Sequence, residues 1–294
     1  MDKKEKKKIF LEAVDKKLQS LNIQELEKYE SLLGPGWKKR ILRSIFAPRI
    51  VLNFKFRILK DKLFKKKNKK IEEFDYPFFY FLEDLDALNE LKSIKFLIKN
   101  FKDDDIFYDI GAQYGLYTSL ALEFCKEVHA FEPIPKFFNV LENSFKSYKN
   151  VFLNELAVSD KIGEEKICVG PTTIVEEMKK KYSKLEEEIG IKTITLDEYI
   201  KNHSEPTIIK MDIEGAEFLA IKGGYNFLKN HAPFILMEVL GGEFLDISKK
   251  AVELLAGLGY NPYQINLEGE LNKISLNFIY KLKGVNNLVF IKNK

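Results

Sequence analysis

Asp109-Ile110-Gly111-Ala112-Gln113-Tyr114-Gly115-Leu116-Tyr117-Thr118 is the stretch on which the fold turns. Its first half completes Ile106-Phe107-Tyr108-Asp109-Ile110, a run of β-branched and aromatic residues that predicts a strand. Its second half opens a helix over 115–125. Two glycines four apart, between strand and helix, let the backbone turn tightly and come close to a ligand. Many nucleotide sites share that feature, and Asp109 narrows it. A carboxylate at the strand end would repel a pyrophosphate, which in dinucleotide sites rests on the helix N-terminus. It would favour a cation, such as the ammonium of a bound amino acid moiety.

Outward from this turn, short β-rich runs alternate with helical ones. Strands are expected at 127–131, 151–157, 206–211, 233–239, 260–267 and 286–292, and helices at 85–100, 135–149, 216–229 and 244–258. That alternation predicts an α/β fold, a mostly parallel central sheet with helices on both faces. Such sheets bind ligands at the carboxyl ends of their strands, near the switch in strand order. The second strand ends in Glu132-Pro133, at the spacing of a ribose-binding acid. A carboxylate there accepts hydrogen bonds from both ribose hydroxyls. S-adenosylmethionine carries an ammonium and a ribose and has no phosphate, so it suits both acids. The bland alternative is that Asp109 caps the following turn and Glu132 is a solvated loop acid.

Bulk composition fits a soluble globular chain of 294 residues, with 45% hydrophobic and 31% charged residues. No run approaches the roughly 18 apolar residues of a membrane span. Two cysteines, Cys125 and Cys168, make no framework, which points to the cytoplasm. The three histidines are scattered and read as structural. The net charge of +4 is uneven: residues 1–75 hold 22 basic against 11 acidic residues, and the remainder is net negative.

At residues 109–118 the chain resembles the first motif of class I methyltransferases. More specifically, Lys210-Met211-Asp212-Ile213-Glu214-Gly215-Ala216-Glu217 is similar to the signature of FkbM-type methyltransferases. Glu155-Leu156-Ala157-Val158-Ser159-Asp160, Thr195-Leu196-Asp197-Glu198-Tyr199 and Met237-Glu238-Val239 match around it, so that the resemblance covers about 100–292. It implies a Rossmann-like fold of about seven strands whose last is antiparallel, forming a domain over 76–294. It implies that S-adenosyl-L-methionine is held by Asp109, Gly111, Ala112, Gln113, Gly115, Tyr117, Thr118, Glu132 and Pro133. Near the adenine it places Glu155 or the backbone around Ala157. Members typically methylate hydroxyl oxygens of sugars or secondary metabolites.

Methyl transfer from a sulfonium is an in-line displacement, so catalysis is largely positioning, helped by a base for the acceptor hydroxyl. Asp212 at the fourth strand end is the candidate base or orienting group, with Glu214 and Glu238 beside it. Crowded acids raise one another's pKa values. Alternatively Glu214 and Glu217 favour a helix N-terminus, and Lys210 pairs with one of them to orient the loop. The acids present oxygen ligands, but with no imidazole among them no metal site is assigned.

Residues 1–75 are expected to be a helical, basic region, with Leu11, Val14, Leu18 and Leu21 along one helix face. Between 38 and 70 there are fourteen Lys or Arg and a single acid, interleaved with bulky apolar residues. Three readings stand: a cap packed on the catalytic domain, an interfacial segment on an anionic membrane, or a nucleic-acid arm. The last is disfavoured, because the fourth strand lacks the element that holds a flipped adenine, and Asn261-Pro262-Tyr263 reads as an ordinary turn. The leading expectation is an O-methyltransferase acting on a saccharide hydroxyl, on a lipid-linked acceptor if the region meets a membrane. The alternatives are an RNA or protein methyltransferase and a non-catalytic membrane-associated protein. The segment 171–192 reads as a solvated helix.

Overall fold

A computed structural model of the chain describes residues 1–32, 77–83, 85, 87–168 and 188–292. Ile106–Ile110 forms the first strand, β1, with its last four residues buried, as expected for a strand covered on both faces. β2 (Glu127–Phe131) and β3 (Val151–Asn154) extend the sheet on one side; β7 (Ile208–Met211) and β8 (Phe234–Leu240) extend it on the other, all in parallel. β11 (Val285–Lys292) lies antiparallel between β8 and β9 (Tyr260–Ile265). With a short strand β10 (Leu271–Lys273) at one edge, the strand order is β10-β9-β11-β8-β7-β1-β2-β3. Chain direction across the sheet therefore reverses between β1 and β7, which opens a crevice at their carboxyl ends. This is the expected Rossmann-like α/β fold. The seven expected strands are present, joined by the antiparallel edge strand β10.

Three local readings are corrected. The extended run 151–157 divides: β3 ends at Asn154, and Ala157–Val158 (β4) joins a second sheet of order β4-β6-β5, with β5 at Gly163–Cys168 and β6 at Glu188–Ile194. Residues 188–192 are therefore strand rather than helix, because Ile189 and Ile191 alternate inward in a period of two; the rest of that segment lies outside the described residues. Asn261-Pro262-Tyr263 is part of β9 and not a turn. Proline is tolerated there because the β10 ladder ends at Tyr263, so no ladder bond is asked of the Pro262 nitrogen.

The N-terminal helix, α1 (Lys3–Gln19), buries Phe10, Val14 and Leu18, one turn apart. They join Leu91, Leu97 and Phe124 in the core on one face of the sheet. Each such side chain contributes about 1.5–3 kcal/mol on burial. Several basic residues of this helix are committed within the fold. Lys3 Nζ donates to the Phe124 carbonyl, Lys7 Nζ to those of Lys99 and Phe101, and Lys6 pairs with Glu123 at 2.9 Å. Ammonium groups on the last carbonyls of helices complement the helix dipole. The basic stretch 38–70, and any membrane contact through it, lies outside the described residues.

Candidate active site

The turn after β1 is built on left-handed backbone. Gly111, Gln113 and Gly115 have φ of 85°, 50° and 93°. The Gly111 and Ala112 amides both donate to the Phe131 carbonyl at 3.0 Å, lashing the turn to the end of β2. A Cβ on Gly111 would stand 2.2 Å from the Asp212 carbonyl, and one on Gly115 would strike Phe145 at 2.3 Å. The helix of this motif is short: Leu116–Ala121, with Gly115 at its N-cap.

Glu132, 3% exposed, is a clamp rather than a solvated loop acid. One carboxylate oxygen accepts the Gln113 amide and the other the Ile134 amide, each at 2.9 Å. A carboxylate oxygen can accept more than one hydrogen bond. The loop after β7 closes the other side. Glu214 and Gly215 have φ of 56° and 92°, and the Ile213 amide donates to Glu217 at 2.9 Å. Burial pushes the Glu217 carboxyl up to about 7, against that backbone hydrogen bond and with help from Asp212 and Glu214.

Between these loops lies a cleft open to solvent. Of the expected residues, Gly111, Gln113, Glu132, Pro133, Ala157, Asp212 and Glu214 line it. Its apolar wall comes from Ile134, Phe137, Val158 and Ile167, the last two from the unforeseen second sheet. Among the described residues no histidine lines it.

The remaining expected residues stand behind the wall. Asp109 is fully buried and accepts from the Thr118 hydroxyl at 2.7 Å. Burial pushes its carboxyl up, opposed by Lys210 and Thr118. Lys210 pairs with the acids at the ends of β1 and β7. Its ammonium stands 3.6 Å from both Asp109 and Asp212, because alternate residues of β7 share one sheet face and β1 lies alongside in register. It also donates to the Gly111 carbonyl at 3.2 Å and lies 5.0 Å from the Tyr117 ring centre. Ala112, Gly115, Tyr117 and Thr118 shape the turn from inside, Glu155 is exposed at the crossing between sheets, and Glu238 is buried in β8. Sequence reading missed Glu90 and Asn287, which join this network through Tyr117. No local motif marks them; they are brought in by packing.

A glycine turn at the switch point of this sheet, flanked by acids at successive strand ends, defines the class I methyltransferase architecture. The model of the FkbM methyltransferase domain matches residues 109–262. The chain belongs to that family. It is 30% identical over 160 residues to hexuronic acid methyltransferase AglP of Haloferax volcanii, a match covering 53% of this chain and 65% of that protein. Among solved structures, methyltransferase FkbM of Methylobacillus flagellatus KT is similar with a TM-score of 0.44 at 16% identity, over 65% of this chain and 44% of that one. Aeropyrum pernix fibrillarin, solved with S-adenosyl-L-methionine, has a TM-score of 0.35 at 12% identity, over 72% and 71%.

Proposed function

We propose that the chain is an S-adenosylmethionine-dependent O-methyltransferase whose acceptor is a saccharide hydroxyl. The observation that carries this reading is the pairing of Glu132 and Asp212 on opposite sides of one cleft, around a turn where a Cβ on Gly111 would collide. The cleft suits the donor. Glu132 presents acceptors fit for two ribose hydroxyls, the apolar wall of Ile134, Phe137 and Ile167 suits a flat base, and the carboxylate-rich rim favours a cationic ligand. When bound, S-adenosylmethionine supplies a methyl group already activated on a sulfonium.

Asp212 is the group we assign to the acceptor. Its side chain is 11% exposed, lines the cleft, and is held from behind by Lys210. Asp212 would take the proton of the acceptor hydroxyl as that oxygen is methylated. Glu214 and Glu238 flank it as orienting groups. Asp109 acts from behind, through Lys210 and Thr118. The saccharide class is supported by the name of the Haloferax relative, two thirds of which the match does not quite span.

Calorimetric titration of S-adenosylhomocysteine into the purified protein tests the donor half. Binding abolished by Glu132→Ala is expected, and no binding to folded wild type would refute the reading. Transfer of labelled methyl from S-adenosylmethionine to hexoses and hexuronates, followed by mass spectrometry, tests the acceptor.

A further inference from the structure

Glu90, Ser93 and Asn287 lie outside residues 109–262, so family membership by itself says nothing about them. They nonetheless form one continuous tether to the cleft. The Asn287 amide donates to one Glu90 oxygen at 3.2 Å and to the Ser93 hydroxyl at 3.1 Å. The other Glu90 oxygen accepts the hydroxyl of Tyr117. The Tyr117 ring lies 5.0 Å from the Lys210 ammonium, which donates to the carbonyl of Gly111, and Gly111 lines the cleft.

We propose that Glu90 is a positioning residue for the donor cleft, acting through the Tyr117 hydroxyl on Lys210 and through Lys210 on the Gly111 carbonyl. Tyr117 is 4% exposed, and a buried phenol without an acceptor is costly, so its hydroxyl is anchored by Glu90, with Ser93 beside it. A ring offers its negative face to a cation in one orientation only. Lys210 has two carboxylates to choose between, Asp109 and Asp212, and the ring fixes its ammonium between them. The Tyr117 hydroxyl stays protonated, since burial and then Glu90 hold its pKa well above the ordinary phenol value. It therefore donates to Glu90 throughout the neutral range.

The inference rests on reading the cleft as an S-adenosylmethionine site, and a double-mutant cycle tests it without an acceptor. S-adenosylhomocysteine affinity is measured for wild type, Glu90→Ala, Tyr117→Phe and the double variant, with Glu90→Gln as the conservative control. Each single change is expected to weaken binding about tenfold, the double no further, because both cut the same tether. Glu90→Gln, which still offers an oxygen to Tyr117, should stay within about twofold of wild type. Additive losses, an unchanged Glu90→Ala, or no rescue by Gln would overturn the proposal.

Should folded wild type bind no S-adenosylhomocysteine, the donor reading fails, and the tether is then decided by lysine labelling. Acetylation of Lys210 with acetic anhydride, followed by peptide mass spectrometry, should be about tenfold faster in Glu90→Ala and Tyr117→Phe than in wild type. Equal protection in all three would overturn it.

Discussion

Asp109 and Asp212 share one cation: the Lys210 ammonium stands 3.6 Å from Oδ1 of the first and 3.6 Å from Oδ2 of the second. Asp109 is fully buried and Asp212 nearly so, which makes the arrangement sensitive to loss of either sign. Lys210→Met leaves two carboxylates close together in a poorly solvated place. Removing one partner of a buried pair costs about 3–5 kcal/mol, and we expect that range in urea denaturation. Adding Asp109→Asn to Lys210→Met should recover part of the loss, since an amide needs no counter-charge. A Lys210→Met variant as stable as wild type would show that the ammonium does not compensate these acids.

Gly111→Ala is expected to be more damaging to binding than its size implies. The new methyl would meet the Asp212 carbonyl at 2.2 Å, a backbone atom that cannot swing aside, at a φ of 85° that favours glycine. The two loops that bound the cleft must then separate. We expect a loss of about 1–3 kcal/mol in stability and a fall of at least about tenfold in S-adenosylhomocysteine affinity. Thermal unfolding and calorimetry on the same preparation check both numbers.

Much of this site was legible because its signals are local. The turn from Asp109 to Gly115 needs only short-range sterics, and Glu132 is marked by its place at the end of β2. The roles within the site were less legible. Asp109 and Lys210 are adjacent only because β1 and β7 pair in register, a contact across about a hundred residues. Ile167 reaches the cleft on a second sheet that the reading of 151–157 as one strand concealed. Glu90 and Asn287 sit in segments read simply as a helix and a strand. Their hydrogen bonds to each other and to Tyr117 come from tertiary packing, for which the sequence carries no periodic signature.

Glu132 allows a test that separates clamp from ligand. Glu132→Ala strands the Gln113 and Ile134 amides, which are buried or nearly so. Each unsatisfied amide costs about 1–3 kcal/mol, so a clear drop in melting temperature is expected. Glu132→Asp keeps the charge but is one methylene short of spanning both amides. It should bind S-adenosylhomocysteine at least about tenfold more weakly. Wild-type stability in Glu132→Ala would show that the clamp contributes nothing to folding.

Glu217 and His129 make the protein's pH dependence a balance of opposite slopes. Burial raises the Glu217 carboxyl to about 7 from an ordinary 4.5, so the folded state favours its protonated form. Stability associated with it is full below pH 4.5 and is lost as pH rises through 7, because the unfolded chain releases the proton first. His129 moves the other way: burial, only partly opposed by Glu127, lowers it to about 4 from 6.5. Its contribution is full above pH 6.5 and is lost as pH falls towards 4, because the unfolded chain takes up the proton first. Between about pH 4.5 and 6.5 the two slopes oppose each other. Glu217→Gln, which still offers an oxygen to the Ile213 amide, should remove the alkaline slope and raise stability at pH 8 by about 3 kcal/mol. The variant should then gain stability steadily from pH 4 to 6.5, where wild type is flatter. Urea denaturation from pH 4 to 8 measures this directly, and parallel curves for the two proteins would rule out ionisation of Glu217 as the source of the alkaline slope.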